Sequence, residues 1–530
     1  MDFVNIKYDD SEKKEELISN LFFKTQYNKN SKVIDQDNPL TGAYFVKKII
    51  NTIKGDLTVL IEDYHIDRFY RDCYYMYFSN QHFQIDRYCK RVSFFKGCFE
   101  QKFFLDGNEK ANNEYLNSIF VGTCVVRPIS GGIVGRSLLN PKYILPSDNA
   151  YIRLSKYEVY IFGIKLEVQA FPFQMQDLET MRCSEVTILN LMDYYSNSYN
   201  DYKITMPSDI VALERKHNHE RVLPSRGITY HQLTKILSDL GFAPRLYNIQ
   251  AISKSELSSL TQSDQLKRIL HYYVASGIPV AVNVEPKGRG VGHSLLCVGY
   301  SKTINCEKAY SNKKYMGNSF DSEYAIINSS DFYDDYVVID DNQFPYEIRP
   351  FQKLSLYSDM SVTNISVPLY KRMFLEATDA YDISLMILES ERWGIFNLAK
   401  EYLNGEKNIV VRLFLASSKN FKKFRVKSFI SNSPTLSGYY SYVRMPQFVW
   451  VCEIYTMEGY TSNDKKAFAE IVLDGTCASK KGMHSLILYN SPNKLFARNP
   501  DQDETTIDDN KYIVSDWVEI KPYSLNLESI

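Results

Sequence analysis

One cysteine of this 530-residue chain stands where a thiol could act as a nucleophile. Cys183 opens the segment 183–195, in which apolar residues recur at the spacing of a mostly buried helix. The first turn of a helix has unpaired backbone N–H groups and the positive end of the helix dipole, and both favour a thiolate over a thiol. The position therefore predicts a cysteine nucleophile that forms covalent intermediates.

A histidine and two acids follow this cysteine in the chain. His293 begins an apolar, strand-like run 110 residues after Cys183, and Asp340 and Asp341 end another such run. The histidine could deprotonate the thiol, and an acid bonded to its Nδ1 would orient the ring and stabilise the imidazolium. Because adjacent side chains of a strand point to opposite faces, only one of the two acids is expected to reach His293.

A glutamine upstream completes the set of candidate catalytic residues. Gln176 lies seven residues before Cys183, across a short polar loop. Acyl transfer passes through a tetrahedral oxyanion, which a side-chain amide and the backbone N–H of the nucleophile could stabilise together. Gln176 is therefore predicted to bind the oxyanion.

The elements that must position these residues form an α+β pattern. After the Cys183 helix the sequence predicts two further helices, at 229–240 and 256–276. Four strands are expected to join one antiparallel sheet: 279–284, 294–300, 324–328 and 336–340. A helix that carries the nucleophile would then pack on a sheet that carries the histidine and the acids.

The length predicts more than one domain, because 530 residues exceed what a single core usually fills. Mixed helix and strand patterns occur on both sides of the candidate site. We expect an N-terminal α+β domain at 1–170, a central cysteine hydrolase domain at 171–350 and a C-terminal α+β domain at 351–530.

Composition excludes several partners. The net charge is −1 and no long basic run occurs, so neither nucleic acid nor an anionic membrane is an expected partner. The sequence lacks a signal-peptide pattern and a membrane-spanning apolar stretch, which predicts a cytoplasmic location. Nine scattered cysteines without a Cys-x-x-Cys pair predict neither disulfides nor a zinc site, and we expect no metal and no cofactor.

The chain order of Gln176, Cys183, His293 and Asp340 or Asp341 resembles the papain-like superfamily of cysteine peptidases. Within that superfamily it is most similar to the bacteriocin-processing type, and more distantly to transglutaminase-like domains. The resemblance covers residues 171–350 and rests on these residues and on the motif Gly-His-Ser-Leu-Leu-Cys-Val-Gly-Tyr at 292–300. It implies a bacterial peptidase that cleaves a polypeptide through an acyl-enzyme on Cys183.

Two departures from that peptidase type leave alternatives open. The nucleophile stands in Arg-Cys-Ser-Glu instead of Asp-Cys-Gly, and Asp177 occupies the position six residues before Cys183, where the family has its glutamine. Ser184 in place of glycine could crowd the substrate cleft. The alternatives are a transglutaminase-like acyltransferase and an inactive papain-like scaffold that binds a protein partner.

Overall fold

The computed structural model of the chain describes residues 2–22, 37–38, 40–129, 132–145, 149–252, 260–288, 290–316, 324–357, 359–390, 403, 405–478, 482–492, 494–498 and 514–530. These residues form a mixed α/β protein with several antiparallel sheets. None of the described helices is long and apolar enough to cross a membrane.

The strands of the described residues are mostly short. In chain order they are β1 (Asp2–Ile6), β2 (Leu57–His65), β3 (Cys89–Lys96), β4 (Phe120–Val126), β5 (Val134–Leu139), β6 (Ala150–Ile152), β7 (Ser155–Ile161), β8 (Ile164–Ala170), β9 (Arg245–Asn248), β10 (Val280–Pro286), β11 (His293–Ser301), β12 (Lys314–Met316), β13 (Tyr324–Asn328), β14 (Asp335–Ile339), β15 (Glu347–Pro350), β16 (Met360–Val367), β17 (Asn408–Ser417), β18 (Phe448–Thr456), β19 (Ala469–Asp474), β20 (Leu486–Ser491), β21 (Lys494–Ala497) and β22 (Glu528–Ser529).

The α-helices of the same residues range from one turn to more than four. They are α1 (Ser11–Phe22), α2 (Gly42–Thr52), α3 (Arg68–Met76), α4 (Gln101–Leu105), α5 (Lys110–Ile119), α6 (Pro141–Ile144), α7 (Cys183–Ser198), α8 (Pro207–His217), α9 (Tyr230–Asp239), α10 (Gln262–Ala275), α11 (Cys306–Ser311), α12 (Ala377–Glu389), α13 (Ser418–Phe429), α14 (Pro434–Tyr442) and α15 (Met457–Thr461). The predicted helix at 229–240 is confirmed as α9, and α10 confirms the described part of the one at 256–276.

Three larger sheets and one hairpin hold the chain together. The first sheet has the order β1-β2-β3-β4-β5, and β7 and β8 form the hairpin. The second sheet runs β15-β14-β11-β10-β16-β9, and β6 pairs with both β11 and β22. The third sheet runs β12-β13-β17-β18-β19-β20-β21, in which β13 lies parallel to β17 and the other pairs are antiparallel.

The strand β13 corrects one prediction. The sequence placed 324–328 in the same sheet as β11 and β14, whereas the structure pairs it with β12 and β17 in the third sheet. The apolar run indicates that the segment forms a strand, but it does not indicate which strand pairs with it. Here Ile326 and Ile327 are fully buried in a core shared with β17 and β18.

The second sheet is covered on both faces, and this explains why β11 is apolar throughout. Leu296 and Val298 face a core that includes α7, while Leu295 and Cys297 face a core that includes α10. Alternate side chains of one strand therefore enter two different cores. Gly299 lets β6 approach β11, because a Cβ there would lie 2.1 Å from the Tyr151 carbonyl oxygen.

Strand pairing crosses both positions at which the sequence suggested domain boundaries. β6 lies before residue 170 and β16 lies after residue 350, yet both belong to the second sheet. β13 lies before residue 350 and belongs to the third sheet. The three-domain division stays a prediction, and these strands tie its three parts together.

Candidate active site

The candidate nucleophile is the first residue of α7. Cys183 is a free, partly buried thiol that follows Arg182, the extended residue that caps the helix. The next twelve residues of the helix, 184–195, are all buried, so α7 is held from every side. The thiol therefore lies at a rigid helix N-terminus, where the backbone N–H groups favour a negative charge.

The loop before α7 is built around one carboxylate. Asp177 accepts hydrogen bonds from the backbone N–H groups of Glu179, Thr180 and Met181, at 3.0, 2.7 and 2.9 Å. These bonds hold a tight turn in which Leu178 adopts a left-handed backbone with φ of 64°. Asp177 thus shapes the approach of the chain to Cys183.

The candidate base begins the strand β11. His293 is 5% exposed, and its Nε2 lies 2.7 Å from Oδ1 of Asp340 and 3.6 Å from Oδ1 of Asp341. The sequence expected the acid at Nδ1, so this detail of the prediction is wrong. With Nε2 held by Asp340, Nδ1 is the ring nitrogen left to face Cys183, whose thiol lies close enough to the imidazole for each group to shift the pKa of the other.

Both acids approach His293, although strand alternation predicted that only one would. The strand β14 ends at Ile339, so Asp340 and Asp341 lie in a turn where alternation does not apply. Asp340 accepts a backbone hydrogen bond from Asn342 at 3.0 Å and a side-chain hydrogen bond from Gln343 at 2.5 Å. Its carboxylate is thereby fixed against the histidine ring.

Gln176 joins the same turn. Its Nε2 donates a hydrogen bond to Oδ1 of Asn342 at 2.8 Å. Gln174, the other upstream glutamine, instead points into the interior, where its Oε1 accepts a hydrogen bond from Arg127 at 2.6 Å. A chain of contacts thus links Gln176, Asn342, Asp340, His293 and Cys183.

The electrostatics of the pair favour separated charges. Burial alone would raise the pKa of the Cys183 thiol, but the hydrogen bond to His293, its positive charge and the backbone of Ser294 lower that pKa below its usual value. Burial alone would lower the pKa of His293, but the charge and hydrogen bond of Asp340, together with Cys183 and Asp341, raise it well above its usual value. The two shifts together favour a thiolate beside an imidazolium.

The pKa values of the two neighbouring acids shift in opposite directions. Burial would raise the pKa of Asp340, yet the charge and hydrogen bond of His293 keep it below the usual value. Burial, opposed by His293 and reinforced by the charge of Asp340, holds the pKa of Asp341 well above its usual range. Neither carboxyl oxygen of Asp341 has a hydrogen-bond partner among the described residues. Asp340 is therefore the carboxylate that orients His293, and Asp341 is the neighbouring acid whose raised pKa favours its protonated form.

Ser184 does not crowd the cleft. It is buried and points into the protein, where its hydroxyl donates a hydrogen bond to the Ser294 hydroxyl at 2.9 Å and lies 3.2 Å from the Ile228 carbonyl oxygen. Ser294 in turn donates to Oδ1 of Asn283 on β10 at 2.6 Å. The residue after the nucleophile is thereby bonded to the residue after the base, a link that no sequence pattern indicated.

Two buried acids lie beside the start of α7. Glu185 is fully buried and accepts a hydrogen bond from the Ser225 hydroxyl, while its Oε2 has no partner among the described residues. Glu214 on α8 is 4% exposed, and its Oε1 likewise has no partner there. Burial and the charge of Glu185 raise the pKa of Glu214 to about 8.

His293, Asp340 and Asp341 are also the one group of described side chains close enough to share a metal ion, with ligand atoms within 4.8 Å of one another. Ligands of a tetrahedral zinc ion, at about 2.0–2.1 Å from the metal, lie roughly 3.3 Å apart. The 2.7 Å separation of the His293 and Asp340 atoms is shorter and is that of a hydrogen bond. The geometry therefore favours a proton, not a metal, between them.

The structure brings Cys183, His293, Asp340 and Asp341 together and places Gln176 against the same turn. The sequence matches no known family model and no curated protein. The chemistry of the site must therefore be argued from its own geometry.

Proposed function

We propose that the chain is a cysteine hydrolase of papain-like type that cleaves a polypeptide through an acyl-enzyme on Cys183. The observation that carries the proposal is the series Cys183–His293–Asp340 at the N-terminus of a buried helix. The orienting acid is hydrogen-bonded to the base, and base and nucleophile are close enough to shift each other's pKa, which is the arrangement that covalent acyl transfer uses.

The proposed reaction uses the charge separation of the pair. The Cys183 thiolate attacks the carbonyl carbon of an amide, and the resulting oxyanion lies near the N–H groups that open α7. The His293 imidazolium gives its proton to the leaving amine as the C–N bond breaks. Water then attacks the thioester, the imidazole takes up a proton from it, and the carboxylic acid leaves while the thiolate is restored.

The position of Gln176 supports its proposed role in binding the oxyanion. One N–H of its amide donates to Asn342, which fixes the side chain beside the turn that holds Asp340. The inward orientation of Ser184 supports a cleft that this side chain does not crowd, and it weakens one of the two reasons, Ser184 and Glu185, to infer an inactive scaffold. No contact of the described residues favours the acyltransferase alternative over hydrolysis.

The first test compares two cysteines that each begin a helix. Cys183 begins α7 beside His293, and the partly buried Cys306 begins α11. At pH 6 we expect iodoacetamide to alkylate Cys183 at least about tenfold faster than Cys306, because the imidazolium preserves the thiolate. Peptide mass spectrometry measures both rates in one sample.

The acyl-enzyme is tested in the same pair. p-Nitrophenyl acetate is expected to leave an acetyl group on Cys183 in the native chain and in Cys306→Ala, and none in Cys183→Ala. Equal alkylation rates for the two cysteines at pH 6, or an acetyl adduct that persists in Cys183→Ala, would contradict the proposal.

A further inference from the structure

A cavity that Cys183 does not line lies between the second and third sheets. Its volume is about 360 Å³, which suits a small organic molecule. Six tyrosines line it, and they come from β6, β11, β18, α15 and the segments after β13 and before β22: Tyr151, Tyr300, Tyr333, Tyr455, Tyr460 and Tyr523.

The tyrosines form connected ring surfaces. The rings of Tyr300 and Tyr333 lie 4.8 Å apart, and those of Tyr455 and Tyr460 lie 5.2 Å apart. The hydroxyls of Tyr333 and Tyr460 are 3.0 Å apart and join the two pairs. Both pairs meet edge to face, with interplanar angles of 62° and 76°, so the wall offers ring faces, ring edges and a few hydroxyls against which an aromatic ligand can pack.

The cavity also contains a cation that no acid among the described residues neutralises. The Lys465 ammonium lies 4.1 Å from the centre of the Tyr460 ring, and no described carboxylate forms an ion pair with it. Burial and the neighbouring Arg412 lower the pKa of Lys465 to about 8, which is the cost of a partly desolvated charge without a counter-ion. A bound anion would remove that cost.

The other charged groups of the cavity do not supply the missing counter-charge. Arg412 donates to Glu453 at 2.7 Å and to the Tyr523 carbonyl at 3.1 Å, so its charge is already balanced. Glu528 lines the rim but is exposed on β22 and does not pair with Lys465. Lys465 is thus left as the group that an incoming anion would meet.

The C-terminal segment closes one side of the cavity and is firmly held. Asn526 donates to the carbonyl of Leu415 at 2.8 Å and to that of Ala275 at 3.3 Å, and its own carbonyl accepts from Arg153 at 2.8 Å. The cavity is therefore a preformed space between fixed walls.

We propose that this tyrosine-lined cavity binds a small organic anion, whose acidic group pairs with Lys465 and whose flat ring packs against the tyrosines. The tyrosine faces supply the affinity for the ring, and the unpaired ammonium supplies the selectivity for a negative charge. The site is independent of Cys183 and of the hydrolase proposal.

Titration calorimetry with phenyl phosphate at pH 7 tests the proposal on the full chain. Benzylamine serves as a probe of similar size and opposite charge, and inorganic phosphate as a probe without a ring. We expect phenyl phosphate to bind, inorganic phosphate to bind more weakly and benzylamine not to bind. Lys465→Met should weaken phenyl phosphate binding at least about tenfold, whereas Lys466→Met, a change at the exposed neighbouring lysine, should leave it unchanged.

A measurement without mutation completes the test. Acetic anhydride should acetylate Lys465 more slowly when phenyl phosphate is present, while Lys466 reacts at the same rate with and without it. The proposal is overturned if millimolar phenyl phosphate does not bind the native chain, if benzylamine binds equally well, if both lysine variants behave alike, or if Lys465 is not protected.

Discussion

Asp340 and Asp341 are neighbours in one turn and contact the same histidine, yet their roles differ. Asp340 accepts hydrogen bonds from His293, Asn342 and Gln343, and these donors stabilise its negative charge. Asp341 has no such donors among the described residues, and burial and the charge of Asp340 raise its pKa well above its usual value. The negative charge that balances the imidazolium therefore belongs to Asp340.

The matched substitutions Asp340→Asn and Asp341→Asn separate these roles. Asp340→Asn removes the charge that supports the imidazolium, so the pKa of His293 falls and that of the Cys183 thiol rises. We expect the pH at which iodoacetamide alkylation of Cys183 is half-maximal to move upward, and acyl-enzyme formation at pH 7 to slow by about 100-fold or more. The pH profile of the alkylation rate measures the first effect, and stopped-flow release of nitrophenol measures the second.

Asp341→Asn is the control, because the raised pKa of Asp341 favours its neutral form, which an amide matches in charge and nearly in shape. Its alkylation profile should coincide with that of the native chain. A larger shift for Asp341→Asn than for Asp340→Asn would reverse the assignment of the two acids.

The sequence predicted the residues of the site better than their contacts. Cys183, His293 and the two acids were found because each stands at the end of an apolar run, and the ends of buried elements are where polar side chains meet. The turn at 340–342 was missed, since the apolar run does not show where β14 stops. The ring nitrogen that faces the acid and the bond between Ser184 and Ser294 depend on the packing of α7 on β11, which no local pattern encodes.

At the scale of the elements, α7 and α8 meet at two buried acids. Glu185 and Glu214 each have an oxygen without a hydrogen-bond partner among the described residues. The ordinary pKa of a glutamate is 4.5, and that of Glu214 is raised to about 8. Between these values the folded chain holds a proton that the unfolded chain releases. The contribution of Glu214 to stability is therefore greatest at low pH and falls as pH rises from about 4.5 to about 8.

Glu214→Gln should remove this pH dependence. The amide cannot ionise, so the free energy of unfolding should lose a slope of at most about 1.4 kcal/mol per pH unit between pH 5 and 8. Urea unfolding at several pH values measures the slope. Glu220→Gln, at an exposed glutamate just beyond α8, should keep the native slope. An unchanged slope in Glu214→Gln would show that Glu214 ionises freely in the folded chain.

Single elements could be read from the sequence more reliably than their partners. The 3.6-residue period of α9 and the apolar runs of β10, β11 and β13 located each element to within one or two residues. The prediction of the sheet to which β13 belongs was wrong, because strand pairing is decided by cores formed from residues hundreds of positions apart. In this case Ile326 and Ile327 are buried with β17 instead of β14.

At the scale of the whole molecule, the second and third sheets share one core. A single apolar cluster extends from Tyr247 to Tyr523 and includes α10, which lies between the two sheets. β13 reaches into the third sheet from before residue 350, and β16 returns to the second sheet from after it. Neither sheet can therefore unfold without exposing the core of the other.

Two buried cysteines report on this coupling. Cys297 lies on β11 in the second sheet and Cys452 lies on β18 in the third, and both are fully buried. We expect both thiols to become reactive at the same urea concentration, because the shared core unfolds as one cooperative unit. Pulsed alkylation followed by peptide mass spectrometry measures the two midpoints in one experiment. Separate midpoints would instead support independent domains divided near residue 350.

The hydrogen bond between Ser184 and Ser294 has a consequence for control of the site. Each serine directly follows a reactive residue. The 2.9 Å hydrogen bond between the two serine hydroxyls therefore fixes the position of the nucleophile relative to the base. The entropic cost of aligning nucleophile and base is incurred during folding, so substrate binding does not have to offset it. An inhibitor or regulatory protein would thus meet a preorganised site. It would have to block the cleft, because separating the nucleophile from the base would be energetically costly.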